Sequence, residues 1–183
     1  TVLIVGVVAG CFGILSLVFP MGAGSGMSLI PSWIISDKSS EFLLVVLIVR
    51  VLAIFLCFCS GIPGGIFAPS LSVGAVSGSL FGMLLVNAGY INFNPGIMAI
   101  VGMGTFFAAS VRAPVTGIIL VCEMTSNFNF LLPMLVSVST ASYVAGILKG
   151  SPIYTQILER TLRLGNDEKA LVDFEAFKDK NKL

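Results

Sequence analysis

The segment GIFAP, residues 65–69, contains no acid, no base and no thiol, so any chemistry there belongs to its backbone. It sits within GIPGGIFAPS, three glycines and two prolines interrupting a strongly apolar stretch. Gly64 and Gly65 can take backbone angles closed to other residues, and a β-branched side chain at 65 is expected to displace the loop. Pro69 suits an opening helical turn, where a missing N–H costs nothing. A helix is therefore expected from about Ile66 or Phe67 to about Val86. Its first amides have no intrahelical acceptor, and the aligned peptide dipoles put roughly half a positive charge at that end. An anion is the natural guest. Residues 51–111 carry no charged side chain at all. A full cation would hold an anion too firmly for passage, whereas amide partial charges allow entry and release.

A second helix start lies in GSPIYTQILERTL. Ser151 is a suitable N-cap and Pro152 a suitable first residue. Tyr154 falls in the first turn, where its hydroxyl either donates toward an anion or marks an aromatic at a membrane interface. The residues alone leave both readings open.

The elements that carry these starts must live in lipid. The 183 residues are 56% hydrophobic and 10% charged, against about 25% charged for a soluble domain. Residues 1–148 hold only Asp37, Lys38, Glu41, Arg50, Arg112 and Glu123, and the other thirteen charges lie from Lys149 onward. A formal net charge of +1 gives no case for a nucleic-acid partner. The chain has no histidine, which removes the commonest general base and metal ligand. Cys11, Cys57, Cys59 and Cys122 sit in apolar runs and read as small buried hydrophobes. The chain opens on Thr1 without a basic n-region and reads as the interior of a longer protein.

Five apolar runs approach the length of about 20 residues that a spanning helix needs: 2–19, 42–60, 66–86, 97–122 and 130–148. A last helical stretch runs to Leu164, followed by a polar tail. Residues 1–164 are expected to form a transmembrane unit, and 165–183 a cytoplasmic tail. Lys149, Arg160, Arg163 and Lys169 point the C-terminus to the cytoplasm. Ser70, Gly74, Gly78 and Gly82 recur every four residues, which predicts a face that another helix approaches closely. Gly6 and Gly10 repeat the pattern more weakly. Gly22-x-Gly24-x-Gly26 and Gly102-x-Gly104 lack the strand-turn-helix setting of a nucleotide loop. Arg112 precedes Ala113-Pro114 and belongs at a helix entrance. Glu123 is 11 residues further on, about 16 Å along a helix, too far to pair with it. Arg50, Arg112 and Glu123 are read as structural anchors rather than as transport residues.

SGIPGGIFAPSLSVGAVSG, GMGTFFAASVRAPVTGIILVCEMT and SPIYTQILERTL together resemble the second half of the CLC chloride channels and chloride/proton antiporters. The likeness covers nearly the whole chain and keeps the family's motif order. It implies an all-α integral membrane protein, one half of an inverted-repeat transporter with tilted and broken helices. It implies that the amides of Ile66 and Phe67 and the hydroxyl of Tyr154 bind chloride. Gly65, Ile66, Phe67, Ala68 and Pro69 would be this half's share of the selectivity filter. A homodimer is implied, with a pore in each subunit and the spans around 112–125 and 130–148 near the contact. No cofactor, metal or catalytic residue is implied; chloride is the bound substrate, with protons as the coupled ion in exchangers. The family's gating glutamate and chloride-binding serine belong to the missing N-terminal half of the same protein, and Ser60 and Glu123 are not their counterparts. The absence of regulatory domains suggests a bacterial-type member of the cell's inner membrane. Chloride transport is thus expected. A passive channel in place of a proton-coupled antiporter, or a transport-inactive half-length packing module, are the alternatives, and an enzyme is not expected.

Overall fold

The computed structural model describes residues 2–18, 39–59, 65–90, 94–148 and 150–164, with positions 174 and 176. Seven helices fill these segments: α1 (Val2–Val18), α2 (Ser40–Cys59), α3 (Phe67–Asn87), α4 (Pro95–Val111), α5 (Pro114–Thr125), α6 (Leu131–Ile147) and α7 (Ile153–Leu164). Among the described residues there is no strand. Residues 22–26 and Ser60 to Gly64 lie outside the described residues, as does nearly all of the 165–183 tail.

α2 and α3 are long and apolar enough to cross a membrane, with mean hydropathy of 2.5 over Ser40–Cys57 and 1.6 over Phe67–Asn87. The 97–122 run does not form one span. Arg112 turns left-handed at φ 62° and closes α4, and Ala113 leaves the helical region at φ −120° and ψ 74° before Pro114 starts α5. Proline disfavours helical backbone in the residue before it, so the chain breaks at 112–113. α5 has 12 residues, or about 18 Å, well short of the roughly 30 Å hydrocarbon core.

α4 is the hub, touching α3, α5, α6 and α7. Its contact with α3 is the most extensive among the described helices and follows from glycine. A Cβ on Gly74 would lie 2.6 Å from the Gly102 carbonyl oxygen, and one on Gly82 would lie 2.9 Å from Pro95 Cα. Gly78 and Gly102 are closer still, Gly78 against the Met98 carbonyl and Gly102 against the Gly74 carbonyl. Position rises along α3 as it falls along α4, so the pair is antiparallel. The Ser70–Gly82 stripe therefore does what its spacing predicts. Gly6 and Gly10 do not: an added Cβ there would meet no described atom within 4 Å.

Leu71, Ala75, Val76, Ala99, Ile100, Met103 and Phe107 form the core between α3 and α4, and Val121, Met134 and Val138 extend it to α5 and α6. Leu43, Val46, Arg50 and Ala53 make one buried stripe on α2, the helix that packs beside α3. Arg50 is only 2% exposed on that stripe. Cys122 is buried as expected, but Cys11 is exposed among the described residues, where α1 packs chiefly on α2.

Candidate functional site

α3 begins at Phe67, with Ile66 before it at φ −84° and ψ −28°. No side chain caps this end. The Ser70 amide is the first to find its acceptor, the Ile66 carbonyl at 3.1 Å. The amides of Ile66, Phe67 and Ala68 precede it and stay outside the helical ladder. Pro69 occupies the third helical position, where it has no N–H to leave unpaired. The Ser70 hydroxyl turns back onto the Phe67 carbonyl at 2.7 Å, so it satisfies its own helix.

Left-handed backbone among the described residues falls at Gly89, Arg112 and Ser126. A Cβ added at Gly65 would meet no described atom within 4 Å, and Gly64, which precedes it, lies outside the described residues.

Phe67 is anchored by an edge-on contact with Phe107, ring centroids 5.1 Å apart and planes at 75°. Phe107 lies in the last turns of α4, so the N-terminus of α3 sits at the C-terminal end of α4. The start of α7 is at that same end. Ser151, Ile153 and Gln156 line a cleft of about 320 Å³ with Ala109, Ser110 and Arg112. Each of the two helix starts thus has neighbours in the last turns of α4. Tyr154 is in the first turn of α7 as expected, 53% exposed. Its hydroxyl has no hydrogen-bond partner among the described residues, which leaves it available as a donor.

The start of α7 departs from expectation in its cap. The Gln156 amide donates to the Pro152 carbonyl at 3.2 Å, so Pro152, one residue later than expected, stands at the cap position. Ser151 serves through its carbonyl, which accepts from Gln156 Nε2 at 2.8 Å, and its hydroxyl makes no cap bond among the described residues. Proline at the cap fixes the entry angle without needing a side-chain oxygen.

Arg112 proves more specific than an interfacial anchor. Its Nη2 donates to the Gly150 carbonyl at 2.8 Å and to the Ala145 carbonyl in the last turns of α6. The sequence signal was the Arg-Ala-Pro break itself, where a helix end frees the side chain to reach a neighbour. Glu123 is exposed near the end of α5 and makes no ion pair with Arg112.

Such a membrane-helix array with broken helices and uncharged helix starts has a known counterpart. A family model described as voltage gated chloride channel matches residues 1–146. The chain belongs to that family, and its fold is an all-helical integral membrane fold. It is 46% identical to the H(+)/Cl(−) exchange transporter ClcA of Vibrio cholerae over 157 residues, covering 85% of this chain and 34% of that protein. It is 45% identical to ClcA of Salmonella typhimurium over 181 residues, covering 98% of this chain and 38% of that one. The crystal structure of a slow cyanobacterial Cl−/H+ antiporter superposes with a TM-score of 0.65 at 41% identity, covering 75% of this chain and 33% of that chain. The chain thus spans about a third of the length of the relatives it matches.

Proposed function

We propose that the complete protein exchanges chloride for protons across a membrane, and that residues 65–69 and Tyr154 form this chain's share of the anion path. The amides of Ile66 and Phe67 and the hydroxyl of Tyr154 bind the ion; Gly65 to Pro69 shape the filter. The observation that carries this reading is the uncapped start of α3, whose first amides lie outside the helical ladder in a run, 51–111, without side-chain charge. Partial positive charge at that helix start attracts a halide, and no lysine or arginine of 51–111 is present to trap it.

The mechanism is binding and release, with no bond made or broken and no cofactor. Ligands missing from this chain come from the remainder of the protein. α5 and α6 present Val115, Ile119, Leu132, Val136 and Tyr143 outward, which suits a homodimer contact. The basic residues after Lys149 favour a cytoplasmic C-terminus in a bacterial inner membrane. The printed activity of the Vibrio and Salmonella relatives favours exchange over passive conduction.

The test is reconstitution of the complete protein into liposomes with an outward chloride gradient. Exchange drives protons uphill into the vesicle as chloride leaves, whereas a passive channel moves chloride without them. Residues 1–183 alone should pass no chloride; robust flux from them would contradict the need for the remaining ligands.

A further inference from the structure

Arg112 stands at a junction that the anion path does not itself use. It closes α4 in left-handed backbone at φ 62°, a conformation a non-glycine residue adopts only where its surroundings hold it. From there the side chain crosses to the end of α6. Its guanidinium lies over Gly146, whose absent Cβ would be 3.6 Å from Nη1. The acceptors of Nη2 are carbonyls, Ala145 in the last turns of α6 and Gly150 beyond it. No carboxylate among the described residues pairs with it; the ion pair found there is Arg163 with Glu159, 2.9 Å apart on the exposed side of α7. Its positive charge therefore meets the negative end of the α6 dipole and carbonyls left over at a helix terminus.

We propose that Arg112 is a positioning residue for Tyr154, fixing the start of α7 against the end of α4 so that the tyrosine hydroxyl faces the anion. The inference rests on Tyr154 being an anion donor, as proposed above. Gly150 lies four residues before Tyr154, and the segment between contains Pro152, whose ring removes most of the freedom of the link. The Gln156 side chain holds the same segment from the α7 side through the Ser151 carbonyl. Among the described helices, α4 is the main one that α7 touches. Tyr154 is half-exposed, and among the described residues no hydrogen bond fixes its hydroxyl. Its direction follows from the backbone of the first turn, which the Arg112 tie sets. Arginine suits this task because several N–H donors project from one rigid plane.

The experiment measures chloride affinity by calorimetry on the complete purified protein, together with its thermal midpoint. Tyr154→Phe is expected to weaken chloride about tenfold, the loss of one hydrogen bond to a charged partner. Arg112→Met is expected to weaken it roughly threefold to tenfold, and the double variant no further than Tyr154→Phe alone. Arg112→Lys, which keeps a donor for both carbonyls, should recover most of the affinity. If Tyr154→Phe binds like wild type, the tyrosine is not a ligand and both readings fall. If Tyr154→Phe weakens binding while Arg112→Met lowers only the thermal midpoint, or if the two losses multiply, the positioning role alone is overturned. Should Arg112→Met not accumulate, Gln156→Leu carries the test, because Gln156 is exposed and its loss frees the Ser151 carbonyl without touching the core. A loss of affinity absent from the Tyr154→Phe background supports the proposal, and unchanged affinity overturns it.

Discussion

The middle and the beginning of α3 are built on opposite principles. At Gly74, Gly78 and Gly82 no side chain fits, because α4 passes so close that an added Cβ would fall on its backbone. At Gly65, nine residues before Gly74, an added Cβ would meet no described atom within 4 Å. The middle is completed by this chain's own residues, whereas the beginning faces outward with amides that no carbonyl of the helix can satisfy. One helix thus holds the fold at its centre and offers chemistry at its end. Packing in lipid explains the first half of that division: apolar tails give no hydrophobic drive between helices, so close backbone approach must supply the attraction. The second half follows from the dipole, which is strongest where the ladder begins.

Variants can break this contrast, beginning where the effect is greatest. Gly78→Leu should abolish the folded protein, since a large side chain would be forced into the Met98 carbonyl; size-exclusion chromatography of the complete protein should show aggregate. Wild-type behaviour would mean the two helices are not locked together. Gly102→Ala places one methyl against Gly74 and Gly78, and should cost about 1–3 kcal/mol, the usual penalty of overpacking, read as a lower thermal midpoint. Gly65→Ala should change stability by no more than about 0.5 kcal/mol, as at other unpacked sites. If it instead matches Gly102→Ala, the loop is as tightly enclosed as the middle and the contrast fails.

Much of this was readable from the residues. The four-residue recurrence of Ser70, Gly74, Gly78 and Gly82 signals a close helix contact because glycine periodicity maps directly onto one helical face. Its partner was not readable: Gly102 answers Gly74 and Gly78, yet Gly96, Gly102 and Gly104 do not recur at a four-residue spacing. The GIFAP loop marks the start of α3 through Pro69 and the uncharged run that follows. The division of 97–122 into α4 and α5 was obscured because hydropathy is blind to backbone direction. Arg112-Ala113-Pro114 carried that information in letters, and only the left-handed turn at Arg112 shows how completely the helix ends there. Ser151 illustrates a different limit. Capping preference ranks residue types, but proline at the next position moved the cap and left serine to act through its carbonyl.

The central claim is that peptide dipoles at the start of α3 do the work of a cation for a halide. Anomalous diffraction from crystals of the complete protein soaked in bromide tests it most directly. The account predicts a bromide peak within hydrogen-bonding reach of the Ile66 and Phe67 nitrogens, about 3.2–3.5 Å away given the larger ion. Bromide bound elsewhere in the protein, with none beside those two nitrogens, would contradict it.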